Sequence, residues 1–170
     1  MIKYAIKILG GLWLSGPRYW WSKFKRFFFE RKYKSSVTLP KIASLGAIRK
    51  ELAKITWTQD NVWNLFDCVS YPETTYATKK DDCDGFATLA IHLLKQLGIR
   101  GYYYTYIPLK WQRAHTVCIF LNKGKIYRFD NAGFIKSGIR KFDEYKDKYF
   151  PDRIIDDLRD INFKKVKSIT

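Results

Sequence analysis

The stretch that most limits what this chain can fold into lies between Asp81 and Gly98. Phe86, Leu89, Ala90, Leu93, Leu94 and Leu97 recur at helical spacing and make one apolar face that must be covered. Asp81 or Asp82 stands where an N-cap belongs, and Gly98 follows the last turn. Three strand patterns come next, over 101–107, 115–121 and 125–130, the last two joined by Asn122-Lys123-Gly124-Lys125, a strong hairpin signal. Helices are further expected over 42–55, 60–66 with Asp60 as cap, 142–150 and 152–158, and a loop over 68–80, where Pro72 interrupts.

The chain has 170 residues, enough for one core and one appendage, with 46% apolar and 28% charged residues. Its formal net charge of +16 calls for an anionic neighbour. Half of that charge sits in residues 1–34, where nine Lys/Arg face the single acid Glu30. The same segment holds ten aromatics, including Trp13, Trp20, Trp21 and Phe27-Phe28-Phe29. A boundary is expected at the polar Lys34-Ser35-Ser36, dividing an arm over 1–36 from a domain over 37–170. Ile2, Ala5, Ile6, Leu9, Leu12 and Trp13 suit one side of a helix, and Gly16-Pro17 breaks it. The apolar run over 8–14 is too short for a membrane span, and no small-residue cleavage pattern follows. The interleaved rings and cations suit an anionic membrane interface, packing on the domain itself or on a partner protein, or, ranking behind these, nucleic acid. The localisation expected is cytoplasmic or membrane-associated, or within a phage particle.

Cys68, Cys83 and Cys118 are widely spaced and form no CxxC pair, which supports neither a zinc ribbon nor a disulfide framework. Cys83 falls in the first turn of the apolar helix, where backbone N–H groups and the helix dipole favour a thiolate and can serve an oxyanion. Asp81, Asp82 and Asp84 act against that thiolate. If Lys123-Gly124 is a two-residue turn, Val117 faces Asp130, and His115 lies on the same face one pair further along. A base and its orienting carboxylate are thereby brought together, while Cys118 has the opposite parity and packs inward. Each residue alone has an ordinary structural explanation; the order of cysteine at a helix start, then histidine and aspartate on one hairpin face, carries the inference. His92 is out of phase with Cys83 and receives no role.

The run Asp81-Asp82-Cys83-Asp84-Gly85-Phe86-Ala87, with Leu93-Leu94 and Leu97-Gly98-Ile99 behind it, resembles the transglutaminase-like superfamily, in particular the bacterial transglutaminase-like cysteine proteinases. His115-Thr116-Val117 is similar to that family's H-x-V element, Phe129-Asp130-Asn131 to its L-D-N element, and Tyr71-Pro72-Glu73 to its P-E element. The resemblance covers residues 57–134. It implies a papain-like α+β fold with the nucleophile helix packed on a small antiparallel sheet. Cys83 would be nucleophile, His115 base and acid, and Asp130 orienter, acting on a protein or peptide substrate through a thioester released to water or to an amine. Trp63, Tyr71 and Asn131 are the residues considered for oxyanion or supporting roles. No cofactor is required, but calcium held by Asp82 and Asp84 is implied for some family members. The rival expectation is a non-catalytic structural or cargo protein, such as one in a phage particle, that reuses the fold.

Overall fold

The computed structural model describes residues 9, 11, 16–58, 68–109, 114–131 and 133–170. The helix expected over 60–66, Trp63 and most of the apolar run over 8–14 lie outside the described residues.

Helix α1 (Pro17–Lys25) begins with the proline at its first turn, where no N–H partner is lost, and runs through a π-helical turn (Arg26–Glu30) into α2 (Arg31–Ser36). Helix α3 (Leu45–Leu52) is capped by the Ser44 hydroxyl, which accepts from Ala47 N. Then come β1 (Thr56–Trp57), α4 (Pro72–Thr78), β2 (Lys80–Asp81) and the long α5 (Cys83–Gln96). The remaining elements are β3 (Gly101–Pro108), β4 (His115–Asn122), β5 (Lys125–Asp130), β6 (Gly133–Lys136), α6 (Phe142–Tyr149) and β7 (Arg153–Arg159). β1 and β2 pair in parallel, and the other five strands form an antiparallel sheet ordered β6-β5-β4-β3-β7.

Strand alternation divides the core into two layers. On one face Tyr103, Cys118, Phe120 and Phe129 meet Leu89, Ala90, Leu93 and Leu94 of α5. On the other, Tyr102, Tyr104, Val117, Ile119 and Ile126 meet Phe142 and Tyr145 of α6 and the following Phe150. Each fully buried large apolar side chain contributes about 1.5–3 kcal/mol relative to exposure, so the two layers anchor the sheet between its helices. The hairpin turn is as expected: Lys123 and Gly124 both take left-handed φ angles, 51° and 70°, the conformation of a tight two-residue turn. It pairs Asn122 with Lys125 and Cys118 with Phe129.

Three expectations shift. Residues 152–158 were expected as a helix but lie in β7, because the open edge of β3 takes this β-branched segment into the sheet, pairing Tyr104 with Leu158 and Tyr106 with Asp156. Residues 68–80, expected as loop, include α4: Pro72 occupies its first turn, and the Thr78 hydroxyl bonds back to Thr74 O. The helix expected over 42–55 is confined to α3.

The arm departs from ordinary amphipathicity. Arg18, Ser22, Arg26 and Glu30 are buried, whereas Trp20, Phe27, Phe28 and Phe29 are 56–69% exposed. The buried polar groups serve the backbone of 69–71: Ser22 Oγ accepts from Val69 N at 2.9 Å, Arg26 donates to Val69 O and Ser70 O, and Glu30 accepts from Tyr71 N at 2.7 Å. Loop backbone that would otherwise be buried without partners is thereby satisfied.

His92 is half-buried on α5, its Nδ1 2.9 Å from Thr88 O. Burial pushes its imidazole down to about 4, with Arg26, Lys95 and Lys34 adding to the effect. A histidine lowered in the folded state binds fewer protons there than in the unfolded chain, so its contribution is fully present above about pH 6.5 and is lost as pH falls toward 4. Unfolding measured between pH 7 and pH 4 is expected to show wild type losing on the order of 1–3 kcal/mol more than His92→Gln across this window.

Candidate active site

Cys83 is the first residue of α5 and is half-buried. Asp82 precedes it as N-cap, one carboxylate oxygen accepting from Asp84 N and Gly85 N. Those two N–H groups, expected as oxyanion donors, are thus committed to a side chain. The Cys83 sulphur accepts from Thr116 N at 3.5 Å, which seats the helix start against the strand residue next to His115.

The hairpin register puts the histidine and the aspartate together. His115 Nε2 lies 3.0 Å from Asp130 Oδ1, with Asp130 buried and His115 a quarter exposed. An ionised carboxylate only accepts, so Nε2 carries the proton in the neutral ring and Nδ1 keeps the lone pair. Arg128, two residues before Asp130 on the same face of β5, lies 3.4 Å from its other oxygen. It also lies over the rings of Tyr149 and Phe150, which hold the guanidinium in place.

Tyr106 also belongs to this cluster. It pairs with His115 across β3 and β4, the two rings edge to face at 5.9 Å. Burial raises its phenol above the ordinary value; Asp130 raises it further, Arg128 opposes, and Cys83 adds a smaller upward effect. The hydroxyl is therefore within electrostatic reach of both Asp130 and Cys83. Tyr106 falls in the strand expected over 101–107, but its place beside His115 is not legible there, because the register of β3 on β4 is not fixed by a tight turn. The parity of Arg128 with Asp130, by contrast, was readable from the hairpin.

The other expected residues fall at different places. Asn131 is exposed in the turn after Asp130. It joins Arg49, Phe86, Phe129, Asp130 and Phe134 in lining a largely apolar cleft of about 260 Å³ beside the Asp130 end of the cluster. The Tyr71 ring lies beside the Arg26 guanidinium and the Lys34 ammonium, toward the arm. Trp63 lies outside the described residues.

Asp81, Asp82 and Asp84 bring one carboxylate oxygen each to within 4.8 Å of one another. Gly85 makes this approach feasible, since a methyl group there would overlap the Asp81 carboxylate. Hard oxygen donors at this spacing suit a divalent cation. Each carboxylate already has a partner, however. Asp81 accepts from the Thr75 hydroxyl and from Asp82 N, Asp82 caps α5, and Asp84 lies 3.6 Å from a guanidinium nitrogen of buried Arg18. A metal ion at Asp84 would meet that like charge, so the donor chemistry fits calcium while the occupied position does not.

The sequence matches no family model and no curated protein. Among solved structures the chain is similar to calcium-bound LapG of Legionella pneumophila, with a TM-score of 0.50 at 15% identity over 96% of this chain and 83% of that one. EGTA-treated LapG gives 0.47 at 17% identity over 72% of this chain and 65% of that one. A candidate cysteine protease from Cytophaga hutchinsonii gives 0.41 at 15% identity over 90% and 54%. In the last two pairings the chain thus spans about two thirds and about half of its neighbour. At such identities the likeness is one of fold, and the fold is the papain-like α+β arrangement.

Cys118 is fully buried, and that burial pushes its thiol far up, so a thiol-directed reagent on native protein near neutral pH is expected to modify Cys83 and spare Cys118. Peptide mapping by mass spectrometry reads the distribution. Gly85→Ala is expected to cost about 1–3 kcal/mol by displacing the Asp81 carboxylate, read as a lowered melting temperature.

Proposed function

We propose that the chain is a cysteine hydrolase cleaving peptide or isopeptide bonds, with Cys83 as nucleophile, His115 as general base and acid, and Asp130 as orienter. The observation that carries this reading is the His115–Asp130 contact of 3.0 Å on a hairpin whose next residue, Thr116, donates to the Cys83 sulphur. With Nε2 held by Asp130, His115 takes the thiol proton on Nδ1. The sulphur attacks the substrate carbonyl carbon, and the tetrahedral intermediate collapses as His115 protonates the departing amine. Water, deprotonated by the same imidazole, then attacks the thioester and releases the acid; an amine in its place would give acyl transfer. The cleft lined by Phe86, Phe129 and Phe134 suits an apolar substrate side chain, with Arg49 at its edge.

Residues 1–36 act in this reading as an arm that brings the hydrolase to an anionic membrane. The support is the inverted polarity of α1 and the π turn: exposed Trp20, Phe27 and Phe28 next to exposed Lys23, Arg31 and Lys32. No helix among the described residues is long and apolar enough to cross a membrane, so contact would be interfacial. In flotation with the full chain, anionic vesicles are expected to carry wild type up, neutral vesicles much less, and the double substitution Trp20→Ser and Phe28→Ser to abolish the difference.

The enzyme is tested by electrophile labelling across pH and by cleavage of a peptide library, each read by mass spectrometry. Cys83→Ala is expected to eliminate both, and His115→Ala to reduce cleavage by about 10²–10⁴-fold. Labelling of Cys83 that needs alkaline pH and is indifferent to His115→Ala would leave the non-catalytic structural or cargo protein as the reading that survives.

A further inference from the structure

Arg18 is an arginine with almost no contact with solvent. Its side chain is 2% exposed, although it belongs to the strongly basic arm. From the first turn of α1 it reaches between the sheet and the start of α5. One guanidinium nitrogen lies 3.6 Å from Asp84 Oδ2; the other is 3.1 Å from the Tyr19 hydroxyl and 3.4 Å from Thr105 Oγ1. Asp84 is itself 1% exposed. Of the three clustered carboxylates, Asp81 accepts from the Thr75 hydroxyl and Asp82 N, and Asp82 from the backbone N–H groups of Asp84 and Gly85. Asp84 faces a full positive charge.

Three carboxylates within 4.8 Å of one another repel, and a buried one is tolerated only beside a compensating cation. Such a cation can be an ion from solution or a side chain from the same chain. We infer that Arg18 is the built-in cation of this cluster, that it and a divalent metal ion are mutually exclusive occupants beside Asp84, and that the docked arm thereby makes the site calcium-independent. Two features of Arg18 favour this role. Its carbonyl accepts from the Ser22 hydroxyl, which also accepts from Val69 N, so the helix turn that carries Arg18 is tied to the domain. Its guanidinium lies against the Tyr19 ring, 4.9 Å from the centroid, which fixes its plane. Arg18 acts here as a positioning residue, setting charge and arm placement without touching a substrate.

The test uses the full chain, wild type and Arg18→Gln, Arg18→Lys and Asp84→Asn, with calcium binding followed by titration calorimetry and melting temperature measured with EGTA or millimolar Ca²⁺. None of these readouts depends on Cys83 reacting, so the result stands apart from the fate of the hydrolase reading. Wild type and Arg18→Lys are expected to show no calcium binding and no thermal shift. Arg18→Gln is expected to melt lower in EGTA and to recover by at least about 2 °C in calcium, and adding Asp84→Asn should remove that response. Stoichiometric calcium binding by wild type that is lost in Asp84→Asn would overturn the inference, and this measurement holds even if Arg18→Gln does not fold. So would an Arg18→Gln variant that melts like wild type and ignores calcium.

Discussion

The site rests on the register of one hairpin. Lys123 and Gly124 form a turn with both residues in left-handed conformations, and such a turn leaves no freedom in how β4 and β5 pair. A slip of one residue would turn Asp130 to the opposite face of the sheet from His115. Everything else follows from holding that register: Arg128 falls on the face of Asp130, Cys118 and Phe129 fall on the face that α5 covers, and the Thr116 N–H meets the Cys83 sulphur. Two left-handed backbone positions thus govern a cluster at the far end of the strands.

A second constraint is electrostatic. Capping α5 with Asp82 and placing Asp81 and Asp84 beside it concentrates negative charge where the sulphur sits. This negative charge is answered from other elements: by Arg18 of the arm, distant in sequence, and by the hydroxyl of Thr75 in α4, six residues before Asp81. On the hairpin side, Arg128 answers Asp130 in the same way. Both halves of the cluster therefore pair a carboxylate with a guanidinium, and both guanidinium groups lie against aromatic rings.

What could be read from the sequence was what short-range rules determine. The apolar face of α5, its acidic cap and the hairpin parity are local, and they brought Cys83, His115 and Asp130 to neighbouring elements. Contacts set by long loops or by sheet edges were not readable. Nothing near residues 152–158 announces an edge strand, because the partner that makes it one is β3, some fifty positions away. Tyr106 joins His115 through a register that no tight turn dictates. Arg18 looked like one more cation of a basic segment; its burial depends on Asp84 and Thr105, and no local pattern encodes that.

The arm's reversed polarity also bears on the order of folding. An ordinary amphipathic helix gains from any apolar surface it meets early, but Ser22, Arg26 and Glu30 have nothing to gain until the backbone of 69–71 is in place to receive them. Helix α1 thus precedes in the chain the backbone on which it docks, and these polar contacts form only once residues 69–71 are in place. In the docked arm the rings of Trp20, Phe27, Phe28 and Phe29 remain on the outer side, so the contacts that hold the arm leave its aromatic row available to a further surface.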